Sequence, residues 1–550
     1  MARPDRKDHP LLELIPVDQL SEEQKAFRPS NEERIPLYRM RRDPTVWGDL
    51  FDDSAFFNHD LAIWRENGTL LCIEDNHFWR PNGFREQYIS FSLYEGYEIG
   101  IHGTYCNIYG KTDAAIAETA TFLWSLKQGE DEESYLAIPI LPSLLPEQLA
   151  RILDANPLRL FRFEKGNWSA EQSVVLATRS FPLHVWLTCA SFEDNGTAFV
   201  DAMETRQQYS FGMFVMTFPN TDHIPLSSDN LERFLKLNLT FDKLELCMLD
   251  SECALLPLSM KTNALKYVIE LTPFDASDFE TLDVVAKDLD LRIILGSTFN
   301  WDELLVALFN RMAELGHFQR LCVSVDEGHY GYIIHEDSAH IAEALIAAIT
   351  ANTKLECLDL SDTYRCLQWS SHFQGIFKAM EDHQGLRKFH LDKLLPLDYD
   401  SESEGSESEA AVYQWLRQLL SRNRKIVVYD SSRKRCSNGE EIDNIYLLND
   451  ILNKSTNLVK DATPLRPLLV TTALVGSCSG KFQHSALLLS DHADMLCDLV
   501  QAVNIEELTV VSEEAIEAAP ASRPSVESSE DPKRRRNESP PRATKKAARS

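Results

Sequence analysis

The sequence predicts an α/β solenoid, a parallel sheet lined by helices, with a β-rich segment before it and a disordered basic tail after it. Three observations carry this. Between about residues 140 and 512 the chain repeats one phrase: an amphipathic helix, a turn and a short apolar strand. Seven of the strands fit L-x-x-L-x-L with Leu, Ile, Val or Phe at the capitals: Leu158/Phe161/Phe163, Phe241/Leu244/Leu246, Phe318/Leu321/Val323, Leu355/Leu358/Leu360, Leu386/Phe389/Leu391, Leu465/Leu468/Val470 and Ile505/Leu508/Val510. Their fourth positions are separated by 83, 77, 37, 31, 79 and 40 residues, and degenerate strands fill the long gaps at Leu183–Leu187, Met213–Met216, Leu265–Ile269, Leu291–Leu295 and Ile426–Tyr429. The filled series makes about twelve units of some 22 to 42 residues.

Taken in order, residues 1–35 read as an extended or disordered N-terminal segment. Residues 36–139 read as an aromatic, β-rich cap domain. Fifteen Phe, Tyr and Trp residues fall between Tyr38 and Tyr109, strand alternation runs through Gln87–Leu93 and Tyr97–Gly103, and Asn67-Gly and Asn82-Gly mark turns. Such aromatics serve a core more often than a ligand groove. A helix at 112–126 and a strand at 135–140 open the solenoid of residues 140–512. Its helices are predicted at 145–155, 195–206, 229–236, 300–314, 337–351, 370–382, 409–422, 442–452 and 491–503. Residues 398–409, DYDSESEGSESE with Leu397 before them, read as a solvated acidic loop whose serines suit an acid-directed kinase. From residue 513 to 550 the chain has almost nothing apolar to offset the entropy of ordering, so this tail is predicted to be disordered.

Net charge is −30, although residues 531–550 hold eight basic residues against Asp531 and Glu538, a net of +6 that leaves −36 on the remainder. A body that negative repels phosphates, so the folded part is not expected to bind nucleic acid. No apolar run is long enough to span a bilayer and Met1–Pro16 lacks a secretory core, so no membrane association and residence in the nucleus, the cytoplasm or both are expected. The eleven cysteines are scattered with no C-x-x-C pair, which reads as reduced thiols. Five Asn-x-Ser/Thr sequons, at Asn67, Asn167, Asn195, Asn238 and Asn453, are read as chance in such a compartment.

The segment 340–363, HIAEALIAAITANTKLECLDLSDT, resembles a leucine-rich repeat of the ribonuclease-inhibitor-like type, and the resemblance extends over roughly 140–512. It implies a horseshoe in which the capitals face the helices and the x residues line a concave face that binds proteins. The chain departs from the family where an Asn, Cys or Thr is expected eight residues after the first capital: Gly166, Leu249, Asp326, Leu394, Ala473 and Glu513 stand there, and only Thr363 conforms. An irregular solenoid is therefore expected.

The x residues of the two cleanest units, Glu356, Asp359, Arg387, Lys388 and His390, set acid beside base and are the candidate partner-binding residues. Other units offer Arg159, Arg162, Lys243 and Glu245. Lys533, Arg534, Arg535, Arg536, Lys545 and Lys546 resemble a nuclear-import signal, which makes an import carrier a second partner. No catalytic constellation emerges. Gly476-Ser-Cys-Ser-Gly-Lys-Phe482 lacks the spacing and the hydroxyl of a phosphate-binding loop, and His329, His335 and His340 match no metal-ligand spacing. The expected function is noncovalent protein–protein binding by a monomer, without cofactor or metal. Two alternatives are a ubiquitin-ligase substrate receptor, on the resemblance of LPEQLARILDA from Leu145 to an F-box helix, and an enzyme with its site in the N-terminal aromatic domain.

Overall fold

A computed structural model of the protein describes residues 10–26, 36–51, 61–74, 88–95, 103–127, 134–139, 142–206, 210–295, 300–326, 338–363, 367, 369–392, 394 and 405–460, with 470, 485–486, 489–490 and 492. Residues 1–453 form one compact unit and 454–550 another. In the first, the described residues form one unclosed 17-stranded sheet. Its strands are β1 (Leu12–Leu14), β2 (Leu37–Met40), β3 (Leu61–Trp64), β4 (Leu70–Glu74), β5 (Tyr88–Glu95), β6 (Gly103–Tyr109), β7 (Ser134–Pro139), β8 (Leu160–Trp168), β9 (His184–Phe192), β10 (Ser210–Thr217), β11 (Thr240–Leu246), β12 (Thr262–Glu270), β13 (Asp288–Ile294), β14 (Arg320–Asp326), β15 (Cys357–Leu360), β16 (Lys388–Leu391) and β17 (Val427–Tyr429). The N-terminal part is mostly antiparallel, in the spatial order β1, β2, β3, β4, β6, β5, β7, with β2 and β3 parallel. The Asn67-Gly68 turn joins β3 to β4, with Gly68 at φ 78°, where a side chain is strained.

From β7 to β17 each strand pairs in parallel with the next one in sequence. One register row runs through Leu136, Phe161, Val185, Phe214, Leu244, Leu265, Leu289, Leu321, Leu358, Phe389 and Val428. All eleven are at most 2 % exposed. They pack in one core with the apolar stripes of the helices, among them Pro146–Ala155, Thr197–Glu204, Ser228–Leu235, Trp301–Leu315, Ala339–Ala351 and Phe373–Glu381, so those helices all cover the same face of the sheet. The arrangement is a repeat-like α/β stack in which neither a strand nor a helix buries its apolar side without its neighbours. Of the motif capitals among the described residues only Leu158 fails to pack, at 53 % exposed, because it precedes β8 in the turn.

Within the parallel part, two helices absent from the sequence reading, Ala170–Ala177 and Ala276–Glu280, are too short to show clear periodicity. The first is held at its start by Ser169, whose hydroxyl accepts from Gln172 N while the Gln172 side chain accepts from Ser169 N. The helix Gly405–Arg422 begins inside the acidic stretch, so residues 405–409 are helical rather than loop, as the helix propensity of the glutamates and Ala410–Ala411 favours; 398–404 lie outside the described residues. In the second unit, the strand read at 465–470 is described only at Val470, which is helical, and i,i+3 apolar spacing serves a helix as well as this motif. The strand at 505–510, most of the helix at 491–503 and the basic tail lie outside the described residues.

Polar side chains in the turns between helix and strand stitch successive repeats. Asn352 is 1 % exposed; its amide donates to Met312 O (3.0 Å) and Ala348 O (2.8 Å), and its oxygen accepts from Phe318 N (3.0 Å). His383 shares a 3.0 Å hydrogen bond with Asn352 O through Nε2 and accepts from Leu386 N at Nδ1. Asn423 donates to Met380 O and His383 O, both at 3.0 Å. Arg159, read from the sequence as a surface residue, is 1 % exposed and makes a similar stitch to Trp124 O and Leu126 O at 3.0 Å; burial lowers its pKa to about 10. Thr363, the one residue that matches the family pattern, bonds locally to Leu360 O (2.8 Å) and Trp369 Nε1 (2.7 Å).

Candidate functional site

Alternation along a strand sends every second side chain away from the helices, so the parallel sheet has an open face built from the x residues. Its central row runs Arg162, Trp186, Val215, Glu245, Lys266, Asp290, Cys322, Asp359, His390 and Tyr429. Beside it, β13 to β16 carry Asp288, Arg320, Cys357 and Lys388 in register.

Three chemical zones follow one another along this face. The first, on β7 to β10, is aromatic and preorganised. The Arg162 guanidinium lies 4.6 Å over the Trp186 ring, donates to the Tyr135 hydroxyl (2.9 Å) and to Thr188 Oγ1 (3.3 Å), and pairs with Glu164 at 3.0 Å. Trp186 Nε1 donates to Thr217 Oγ1 at 3.1 Å. Leu160, Ala137 and Met213 complete a small apolar cluster around Tyr135 and Trp186. Every polar group here is locked by another, and part of the indole and of Met213 remains exposed. The second zone is charged. Glu245 pairs with Lys266 (2.8 Å) and Lys243 (3.5 Å), and Arg292 with Asp326 (2.5 Å). Such pairs at a partly wet surface contribute little to stability and serve mainly to set the local potential.

The third zone contains the residues singled out from the sequence. Asp359, Lys388 and His390 do lie on the open face, with Asp359 directly opposite His390 across β15 and β16. Glu356 and Arg387 precede their strands by one residue, in the turns, and Arg387 folds back to donate to Gln384 O (2.7 Å) and Leu386 O (3.3 Å). Asp359 accepts from the backbone and hydroxyl of Ser361 (3.0 and 2.7 Å). His390 stacks on Tyr429 with ring centres 4.9 Å apart; burial lowers its pKa below the usual value, with Asp359 acting against the shift. Burial raises the carboxyl of Asp288 and the thiols of Cys322 and Cys357, and nearby carboxylates reinforce the effect at Cys322, so these thiols are not nucleophiles near neutrality.

Sequence reasoning named Arg162 among the x residues but missed Tyr135 and Trp186, because their strands lack the full L-x-x-L-x-L motif. The signal was nevertheless present in parity: Trp186 stands between the buried Val185 and Leu187, and Tyr135 next to the buried Leu136. Lys533, Arg534, Arg535, Arg536, Lys545 and Lys546 lie outside the described residues, as do His329 and His335. His340 meets Asp302 at 3.2 Å, and among the described residues no group of three or more His, Cys, Asp or Glu side chains is placed to hold a metal ion. Among the described residues no helix is long and apolar enough to cross a membrane. No protein-family model matches the chain, and no curated protein matches it.

Proposed function

We propose that the protein is a noncovalent protein-binding module: a leucine-rich-repeat-like solenoid of the ribonuclease-inhibitor-like type whose open, concave face engages a protein partner. The observation that carries the reading is the Tyr135–Arg162–Trp186 cluster. Trp and Arg are among the side chains that most often dominate binding energy at interfaces, and here Arg162 and Trp186 are held in one geometry over the buried Tyr135 before a partner arrives, which lowers the ordering cost of association. The mixed charges of the following strands give the specificity that suits protein recognition. The antiparallel N-terminal strands act as the cap of the stack, the chain works as a monomer without cofactor or catalysis, and Lys533–Arg536 with Lys545–Lys546 direct it to the nucleus through an import carrier.

Affinity purification with mass spectrometry on the full chain tests this, beside Trp186→Ala, the pair Arg387→Glu with Lys388→Glu, and a chain ending at Val511. Partners lost with Trp186→Ala, and import carriers lost only on truncation, are the expected result. A partner set unchanged by either face variant overturns the reading of the open face.

A further inference from the structure

The chemistry of the open face narrows the partner, on the reading that this face binds one. In the aromatic zone the positive charge of Arg162 is already matched by Glu164 and its donors by Tyr135 and Thr188, and the indole N–H of Trp186 is already given to Thr217. What remains to offer a ligand is the apolar surface of Trp186 and Met213, which an anion does not need and an aliphatic or aromatic side chain does. Along the same register row, past the matched Glu245–Lys266 pair, stand Asp290 and Asp359 on either side of Cys322. The donors that reach these carboxylates are neutral, the Cys322 thiol for Asp290 and Ser361 for Asp359. Lys266 stands directly across from Asp290 but gives its ammonium to Glu245 at 2.8 Å, His390 stands across from Asp359, and Arg320 and Lys388 stand in the neighbouring row, in register with Asp288 and Cys357. A chain of net charge −30 adds a long-range field of the same sign.

We infer that the face takes an extended polypeptide with an apolar side chain seated on Trp186 and Met213 and a basic side chain reaching Asp290 and Asp359. Strands spaced by about 4.8 Å put β13 about 19 Å from β9, the span of about six extended residues, and β15 about 29 Å away, the span of about nine. The recognised segment thus crosses the strands and carries Lys or Arg about six to nine positions from its apolar anchor.

The test is selection from a phage library of random fifteen-residue peptides against the full-length chain, Trp186→Ala, and the double variant Asp290→Asn with Asp359→Asn. All three substitutions sit on the open face, away from the core shared with the helices, and circular dichroism verifies that each variant is folded. The wild type is expected to enrich peptides with an aromatic or aliphatic residue and a Lys or Arg at that separation. Trp186→Ala should abolish the apolar preference, and the double variant should abolish the basic one while leaving the apolar one, with the residual peptides binding about tenfold more weakly. No enrichment, an acidic consensus, or preferences unchanged in both variants overturns the inference. Partners that copurify with the wild type and are lost only with Trp186→Ala leave the open-face reading standing and sink the basic segment; partners indifferent to every variant sink both.

Discussion

Replacing Asn352 by Ala tests whether the stitches between repeats hold this protein together. The perturbation deletes one amide that is 1 % exposed and makes three hydrogen bonds, at 2.8 to 3.0 Å. Its consequences for the three partners differ. Met312 O keeps the Gly316 N–H and Ala348 O keeps the Asn352 N–H, whereas Phe318 N loses its partner in a buried site. One orphaned buried donor costs about 1–3 kcal/mol and each hydrogen bond lost to a carbonyl that keeps another donor about 0.5–1.5 kcal/mol, for a total of about 2–6 kcal/mol. Urea unfolding followed by far-ultraviolet circular dichroism measures it. Asn453→Ala, which removes only an exposed bond to Arg424 O, is the control and should cost less than about 1 kcal/mol. Asn352→Asp should be worse than Ala, because it retains the acceptor for Phe318 but turns a carboxylate oxygen toward two carbonyls. A loss below about 1 kcal/mol in Asn352→Ala, or an Asp variant as stable as wild type, refutes the reasoning.

Leu358→Ala, in the middle of the eleven-residue core row, should cost about 2–5 kcal/mol by the same assay, whereas Leu158→Ala, at an exposed motif position, should be nearly neutral. The imidazole of His390 should titrate below 6.5 by proton NMR, and Asp359→Asn should move the midpoint lower still, since the carboxylate is what opposes burial. Because the native state then takes up that proton later than the unfolded chain as pH falls, the linked stability is complete above about 6.5 and declines as the solution is acidified through the native value; His390→Phe should remove that slope. A fluorescent fusion ending at Val511 should lose the nuclear accumulation that the full chain shows, and identical distributions would end the import assignment.

How much of this was legible in the sequence depends on whether a residue's environment is set by its own repeat or by the next. The five fourth-position residues Phe161, Leu244, Leu321, Leu358 and Phe389 fall in one register row, and the degenerate strands placed in the long gaps became β9, β10, β12, β13 and β17, because strand burial follows a local apolar pattern. Arg159, Glu356 and Arg387 were read as open-face residues and instead occupy the turns, since the first x of the motif precedes the strand in each case. Trp186 and Tyr135 escaped because they belong to the face through alternation alone, in strands without the full motif. The Asn352–His383–Asn423 stitches were beyond sequence reading: each side chain bonds the backbone of a repeat about 30–40 positions earlier, and no spacing rule announces it.

Parallel pairing confined to sequence neighbours also decides how the chain yields to force. Among the described residues each strand from β8 onward pairs only with its sequence neighbours, so tension applied between the two ends of the stack loads its terminal ladder first and releases one strand and its helix before it reaches the next. The register row advances by 21 to 39 residues per repeat, which corresponds to about 70–130 Å of freed contour at each step. An optical trap would record a staircase of unequal treads, and the sheet would shorten under load by unzipping from its edges with the remaining treads still intact.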